Sequence, residues 1–137
     1  MNAQSVTQAL SLRTFAGGRE FELTATLSYD AGEPYEVRIV FHAGLEEPVA
    51  WVLARSLLAG GLTGRAGDGD VETWVADDGQ NLVIRLRSPD RTATFTAPAG
   101  TVARFLEVTY CLVAPGAEPA RTDLDAGIAA ILAGGAS

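Results

Sequence analysis

The chain has 137 residues, a formal net charge of −7 and a hydrophobic fraction of 47%, which suits one globular domain and is too apolar for a disordered chain. Its single cysteine, Cys111, excludes a disulfide framework and a zinc site built on several thiolates, while the acidic balance opposes binding to nucleic acid or anionic membrane surfaces. The apolar runs fall far short of the ~20 residues that cross a bilayer, and no charged segment followed by an apolar one opens the chain as a secretory signal would, so the expectation is a soluble, cytoplasmic protein.

Residues 5–14 alternate loosely, with Val6, Leu10 and Leu12 on one face and Gln8 interrupting it. Gly17-Gly18 marks a turn. Residues 21–29 alternate cleanly. Phe21, Leu23, Ala25, Leu27 and Tyr29 point one way, and Glu22, Thr24, Thr26 and Ser28 the other. A period of two means a strand with one dry and one wet face. Asp30 to Pro34 is turn chemistry. A second clear strand covers 35–42 with Tyr35, Val37, Ile39 and Phe41 inward. Val49 to Leu53 reads as a short strand, with Trp51 in the core. It flows into a helix from Ala54 to Ala59, which Gly60-Gly61 is expected to cap.

A polar glycine-rich loop, 63–70, connects to a three-strand meander. Val71–Val75 leads into an Asp77-Asp78-Gly79 hairpin turn. Leu82, Ile84 and Leu86 form the inner face of the next strand, and Thr92–Thr96 is the third. Pro98 suits the first turn of a helix over 98–113, whose buried stripe is Val102, Phe105, Leu106, Thr109 and Val113. Thr122 and Asp125 resemble a capping box. Leu124, Ile128, Ile131 and Leu132 then recur at helical spacing, predicting an amphipathic helix over 120–134. That stripe is a candidate oligomer interface, or it packs on its own chain. The fold class is α+β, with antiparallel sheets covered by helices in two similar halves, ββββα then βββα, plus the C-terminal helix. All of residues 1–137 form one domain.

No constellation for catalysis emerges. His42 is the only histidine, and it lies on the polar phase of its strand with no triad pattern near it in sequence. Cys111 falls among apolar residues in the second half of a helix and reads as an inert, buried small hydrophobe. The loop Gly64–Asp70 lacks the Lys-Ser/Thr of a phosphate cradle and the ligand spacing of an EF-hand, so it reads as a connection. Asp77-Asp78 reads as hairpin chemistry. Trp74 stands out because it shares a phase with Glu72, opposite Val71, Thr73 and Val75. A tryptophan on a wet face is an interface candidate, unless both faces of the strand are covered. No cofactor and no metal are expected.

All ten basic residues are arginine. With abundant Ala, Gly, Val and Leu, this reads as the coding bias of a GC-rich genome, actinobacterial or similar. Particular residues point the same way: Tyr29-Asp30, Pro34-Tyr35, Phe41-His42, Trp51, Ala54-Arg55, Leu57-Leu58, Gly61-Leu62 and Gly67 to Val71. Further on come Pro98-Ala99, Phe105-Leu106, Thr109, the Val113 to Glu118 segment, Asp123 to Asp125 and Ile131-Leu132. In this order they resemble the SsgA-like proteins, the sporulation-specific cell-division proteins of actinobacteria, from about residue 20 onward.

The resemblance implies a non-enzymatic regulator with a whirly-like fold that assembles as a trimer. It is strongest toward the member of the family that recruits the tubulin-like protein FtsZ to sporulation septa, so the expected partners are FtsZ and SsgA-like paralogues, at the division septum. The alternatives are a divergent paralogue acting on the septal peptidoglycan machinery, or single-stranded nucleic-acid binding by the whirly-like fold, which the charge disfavours. Arg55, Arg65, Arg104 and Arg121, read as surface groups from their polar context, and Trp74, from its phase on the strand, are the candidate partner-contacting residues. One departure is Val108, where the family helix often carries arginine.

Overall fold

The computed structural model describes residues 4–42, 48–67 and 69–119. In chain order the elements are β1 (Ser5–Ala16), β2 (Arg19–Asp30), β3 (Glu36–Phe41), β4 (Val49–Ala54), α1 (Arg55–Gly61), β5 (Val71–Val75), β6 (Asn81–Arg87), β7 (Thr92–Pro98) and α2 (Ala99–Leu112). The expected ββββα–βββα order is therefore present. The expected sheets are one: seven antiparallel strands in the order β4-β3-β2-β1-β7-β6-β5.

The two meanders join where β1 meets β7. That seam is short, with Arg13 opposite Thr96 and Thr14 opposite Phe95, and the Thr14 hydroxyl donates to the Thr94 carbonyl at 2.8 Å. One face of the sheet carries the core. Leu10, Leu12, Ala25, Leu27, Val37, Ile39, Leu82, Ile84 and Leu86 are buried there together with Val102, Phe105 and Leu106 of α2. The period of two in the strands and the i, i+3, i+4, i+7 spacing in α2 bring these apolar groups to one side, where removing them from water drives folding. Phe41 and Phe95, from different meanders, meet with ring centroids 5.0 Å apart, so aromatic packing spans the seam.

Several expectations need correction. Phe21 keeps its predicted phase but is exposed, as is Phe15 on the opposite face. The long β1–β2 hairpin runs past its neighbours there: β3 pairs with β2 only from Ala25 to Ser28, and β7 reaches β1 only at Arg13 and Thr14. Tyr35 is also exposed, because β3 begins one residue later and Tyr35 belongs to the preceding turn. Trp51 is half-buried against the core, as befits the edge strand β4.

Cys111 is exposed. It lies two residues past buried Thr109, about 200° around a helix of 3.6 residues per turn, and so faces away from the sheet. The C-terminal stripe of Leu124, Ile128, Ile131 and Leu132, with Arg121, lies outside the described residues.

Gly60-Gly61 does not cap α1 but lies within it; the following residue, Leu62, donates its N–H to Ala59. The need for glycine at 61 comes from β5. A Cβ on Gly61 would stand 2.6 Å from the Thr73 Cβ and 3.2 Å from the Thr73 carbonyl carbon. The same Thr73 donates its hydroxyl to the Leu57 carbonyl at 2.9 Å, so helix and strand are locked at close range. Gly61→Ala, which in an open helix would stabilise by up to about 1 kcal/mol, is therefore expected to destabilise by about 1–3 kcal/mol through overpacking. Urea unfolding measures this, and an unchanged or higher midpoint would contradict the packing argument.

Candidate functional site

Two arginine-centred clusters dominate the polar chemistry. The first is internal. Arg55 opens α1, and Arg55, Leu58 and Gly61 form the buried side of that helix. Its side chain is 2% exposed, which corrects the expectation of a surface residue.

One guanidinium nitrogen donates to the Val113 carbonyl at 2.7 Å and to the Thr109 carbonyl at 3.3 Å. The other donates to the Glu118 carboxylate at 2.7 Å. The guanidinium also lies 5.0 Å from the ring centroids of both Tyr29 and Tyr110. The Thr109 carbonyl near the end of α2 also accepts the Val113 N–H at 2.9 Å, so Arg55 adds a second donor there and meets the Val113 carbonyl just past the helix, where the chain no longer has the ladder of intrahelical bonds. Charge-assisted hydrogen bonds and two aromatic faces offset the cost of removing the cation from water.

Glu118 in turn accepts the Gly116 N–H at 2.7 Å. The hydrogen bond from Arg55 leads the effects that hold its carboxyl below the ordinary value of 4.5, with backbone donors adding to it and burial opposing.

The second cluster lies on the outer face of β5 and β6. The β5–β6 hairpin is symmetric about Asp78-Gly79, so Glu72 faces Arg85 and Trp74 faces Val83. Cross-strand partners share a face, and Arg87, two residues past Arg85, lies on it too. Arg65 reaches it from the loop that leads into β5. Glu72 is buried, although it belongs to the outward phase, because three guanidinium groups close over it. Arg87 approaches its Oε1 at 3.0 Å and Arg85 at 3.8 Å, while Arg65 reaches Oε2 at 3.4 Å. The Arg65 and Arg85 guanidinium carbons stand 4.2 and 4.8 Å from the Trp74 ring centroid. Trp74 is half-buried beneath them, so the tryptophan singled out in the sequence anchors a basic cluster.

The structure thus brings Arg65 and Trp74 together and separates them from Arg55. Arg104 is exposed on α2 and contacts Thr101 on its own helix. Val108 is exposed on the same helix as an apolar surface group. Sequence reasoning missed Glu72, Arg85 and Arg87 as members of one site; setting the strand register from the Asp78-Gly79 turn would have found them. It also missed the link between Arg55 and Glu118, for which no local spacing gives a signal.

Other polar groups form smaller arrangements. His42 Nε2 lies 3.0 Å from the Thr26 hydroxyl on the exposed side of the sheet. Asp78 accepts the Gln80 and Asn81 N–H groups at 2.8 and 3.1 Å, the hairpin role expected of it. A cavity of about 230 Å³ is lined by Ser5, Ser28, Asp30, Glu33, Glu36 and Arg38, among others. The Glu36 carboxyl there is pushed up, chiefly by its hydrogen bond to Glu33 and then by burial. Among the described residues, no three His, Cys, Asp or Glu side chains converge as metal ligands, and no helix is long and apolar enough to cross a membrane.

Comparison with known proteins supplies the context. Residues 23–118 match the family described as Streptomyces sporulation and cell division protein, SsgA. The chain is 40% identical over 134 residues to sporulation-specific cell division protein SsgB of Frankia casuarinae, covering 96% of this chain and 94% of that protein. It is 46% identical over 111 residues to SsgB of Streptomyces coelicolor, covering 80% and 81%.

Two solved structures share the fold. One comes from work relating mutations in SsgB to longitudinal cell division during sporulation of Streptomyces coelicolor, with TM-score 0.80, 39% identity and coverage of 87% of this chain and 96% of that one. The other is an SsgA-like sporulation-specific cell division protein from Thermobifida fusca, with TM-score 0.84, 38% identity and coverage of 93% and 95%.

Arg55→Met is expected to destabilise the protein by about 3–5 kcal/mol, because it removes the cation from the Glu118 carboxylate and the donor from the Val113 carbonyl; chemical denaturation reads this directly. Glu118 has a folded pKa below its ordinary value, so its contribution is fully present above pH 4.5 and is lost as pH falls through the lowered value. Glu118→Gln should remove that component, giving a shallower loss of stability below pH 4.5 than wild type. Identical acid-unfolding profiles would count against the ion pair.

Proposed function

Because this chain belongs to the SsgA family of sporulation and cell division proteins, we propose that it acts as a non-enzymatic adaptor that recruits or positions FtsZ at sporulation septa. The observation that carries the reading is the similarity to SsgB over nearly the whole chain, 96% of it in one case. Those relatives are named sporulation-specific cell division proteins, and the role in sporulation cell division extends to this chain through them. The FtsZ step is the finer part of the proposal.

The molecule offers surfaces suited to such a task. A two-arginine, one-tryptophan arrangement occupies the outer face of β5–β6. At the opposite end of the sheet, the edge strand β4 carries exposed Val49 and Val52 and no charged residue. An uncharged edge strand offers unpaired backbone groups to a second chain, which supports assembly into the trimer that the family resemblance implies. Several identical surfaces facing a polymer would convert weak single contacts into strong avidity.

Co-sedimentation of the purified protein with FtsZ from the same organism, with and without GTP, tests the proposal. The expected outcome is pelleting only when polymer forms. Absence from the pellet while FtsZ assembles normally would overturn it.

A further inference from the structure

We propose that the outer face of β5–β6 is a docking surface for an extended acidic segment of a partner protein, with Arg65, Arg85 and Arg87 as carboxylate-binding forks around Trp74. The inference deepens the adaptor reading and rests on it for its biological use. The binding chemistry stands on the geometry of the cluster.

Charge is the first argument. The chain as a whole is acidic, at −7, yet three arginines converge here on the single carboxylate of Glu72. A guanidinium carries roughly five N–H donors and no acceptor, so one carboxylate leaves most of these donors to solvent. The Arg65 and Arg87 side chains are 58% and 45% exposed, which leaves both reachable by a second carboxylate. A concentrated positive patch on a negative molecule directs acidic partners to one place, since the remaining field repels them.

Pre-organisation is the second argument. Free arginine side chains lose considerable rotamer entropy when they bind. Here Glu72 and the Trp74 ring already hold Arg65 and Arg85, so that cost is met in folding. Arg85 and Arg87 stand two residues apart on one face of β6, about 7 Å at strand rise. Acidic side chains at alternate positions of an extended peptide have the same spacing. The Trp74 indole N–H donates to no group among the described residues and is a further donor for such a segment.

A nucleic acid fits less well. Single strands are held by bases stacking on aromatic rings, and the Trp74 ring already carries two guanidinium groups. The long-range field of the chain also repels phosphate.

The test uses the full-length protein and a fluorescently labelled octapeptide of alternating Glu and Ser, followed by anisotropy at about 50 mM salt, where screening is modest. The wild type is expected to bind this peptide, to bind the Gln-for-Glu version at least tenfold more weakly, and to lose affinity as salt rises. The double variant Arg65→Gln/Arg87→Gln should bind about tenfold more weakly, and Arg104→Gln as the wild type does. Glu72→Gln keeps a side-chain oxygen to accept from the guanidinium groups, and Trp74 still holds Arg65 and Arg85, but it removes the competing charge and should tighten binding severalfold, a change that a purely structural role for the cluster would not produce.

Thermal melts accompany each variant. If the double variant fails to fold, the exposed single variant Arg65→Gln carries the comparison, with a loss of about threefold. No binding at low salt, wild-type affinity in the Arg65 and Arg87 variants, or tighter binding of a thymidine oligonucleotide overturns the proposal. FtsZ co-sedimentation is scored separately. Pelleting without peptide binding removes this surface alone, and peptide binding without pelleting removes the FtsZ reading alone.

Discussion

The Arg55 guanidinium ties this fold together. It emerges from the start of α1, after the first four strands, and its hydrogen bonds go to the end of α2, after the last three. The sheet seam between the two meanders is brief, so the covering layer has to help hold them in register. A buried cation with one partner too few is strongly destabilising, which makes the arrangement demanding: the α2 carbonyls, Glu118 and the two tyrosine rings must all be in place. The Tyr29 hydroxyl is itself engaged with the Pro34 carbonyl, and the Arg55 N–H with that of Tyr35. The turn before β3, the start of α1 and the end of α2 are thereby fixed as a unit.

The two arginine clusters show how one residue type serves opposite ends. Arg55 is desolvated, and its donors meet protein acceptors. Around Glu72 the balance is reversed, with more guanidinium groups than carboxylates. The first arrangement fixes geometry; the second leaves donors directed outward. Burial and stoichiometry decide between these roles, since the residue is the same. The cluster rests on a strand whose inner neighbour, Thr73, is fully buried and bonded to α1, so the basic face is supported by the core beneath it.

The chain carrying both clusters belongs to a family of sporulation and cell division proteins. Relatives that share about two-fifths of their residues with this chain also share its fold. On helix α2, Val108 is exposed, apart from the packing stripe of Val102, Phe105, Leu106 and Thr109.

Most of the fold was legible in the sequence. Strict alternation in β2, β3 and β6 identified the buried face, and the spacing in α2 named its packing stripe, because both periods follow directly from backbone geometry. The Asp78-Gly79 turn was visible for the same local reason, and family membership was legible in the ordered motifs. What local pattern could not supply was everything set by distance in space. Phe21 obeys the period yet is exposed, because neighbouring strands end before covering it, and Tyr35 is exposed because it belongs to the turn before β3. Gly61 reads as a cap, but its need for glycine comes from Thr73 on another element. Arg55 reads as a polar surface residue, and only α2 and Glu118, more than fifty residues later, make its burial tolerable. Trp74 was singled out alone, whereas the guanidinium groups that make its face a site come from β6 and a loop. The sequence by itself determined which residues lie on which side of each element; the tertiary structure decided which charges meet, because electrostatic partners depend on separation in space and periodicity along the chain carries no record of that.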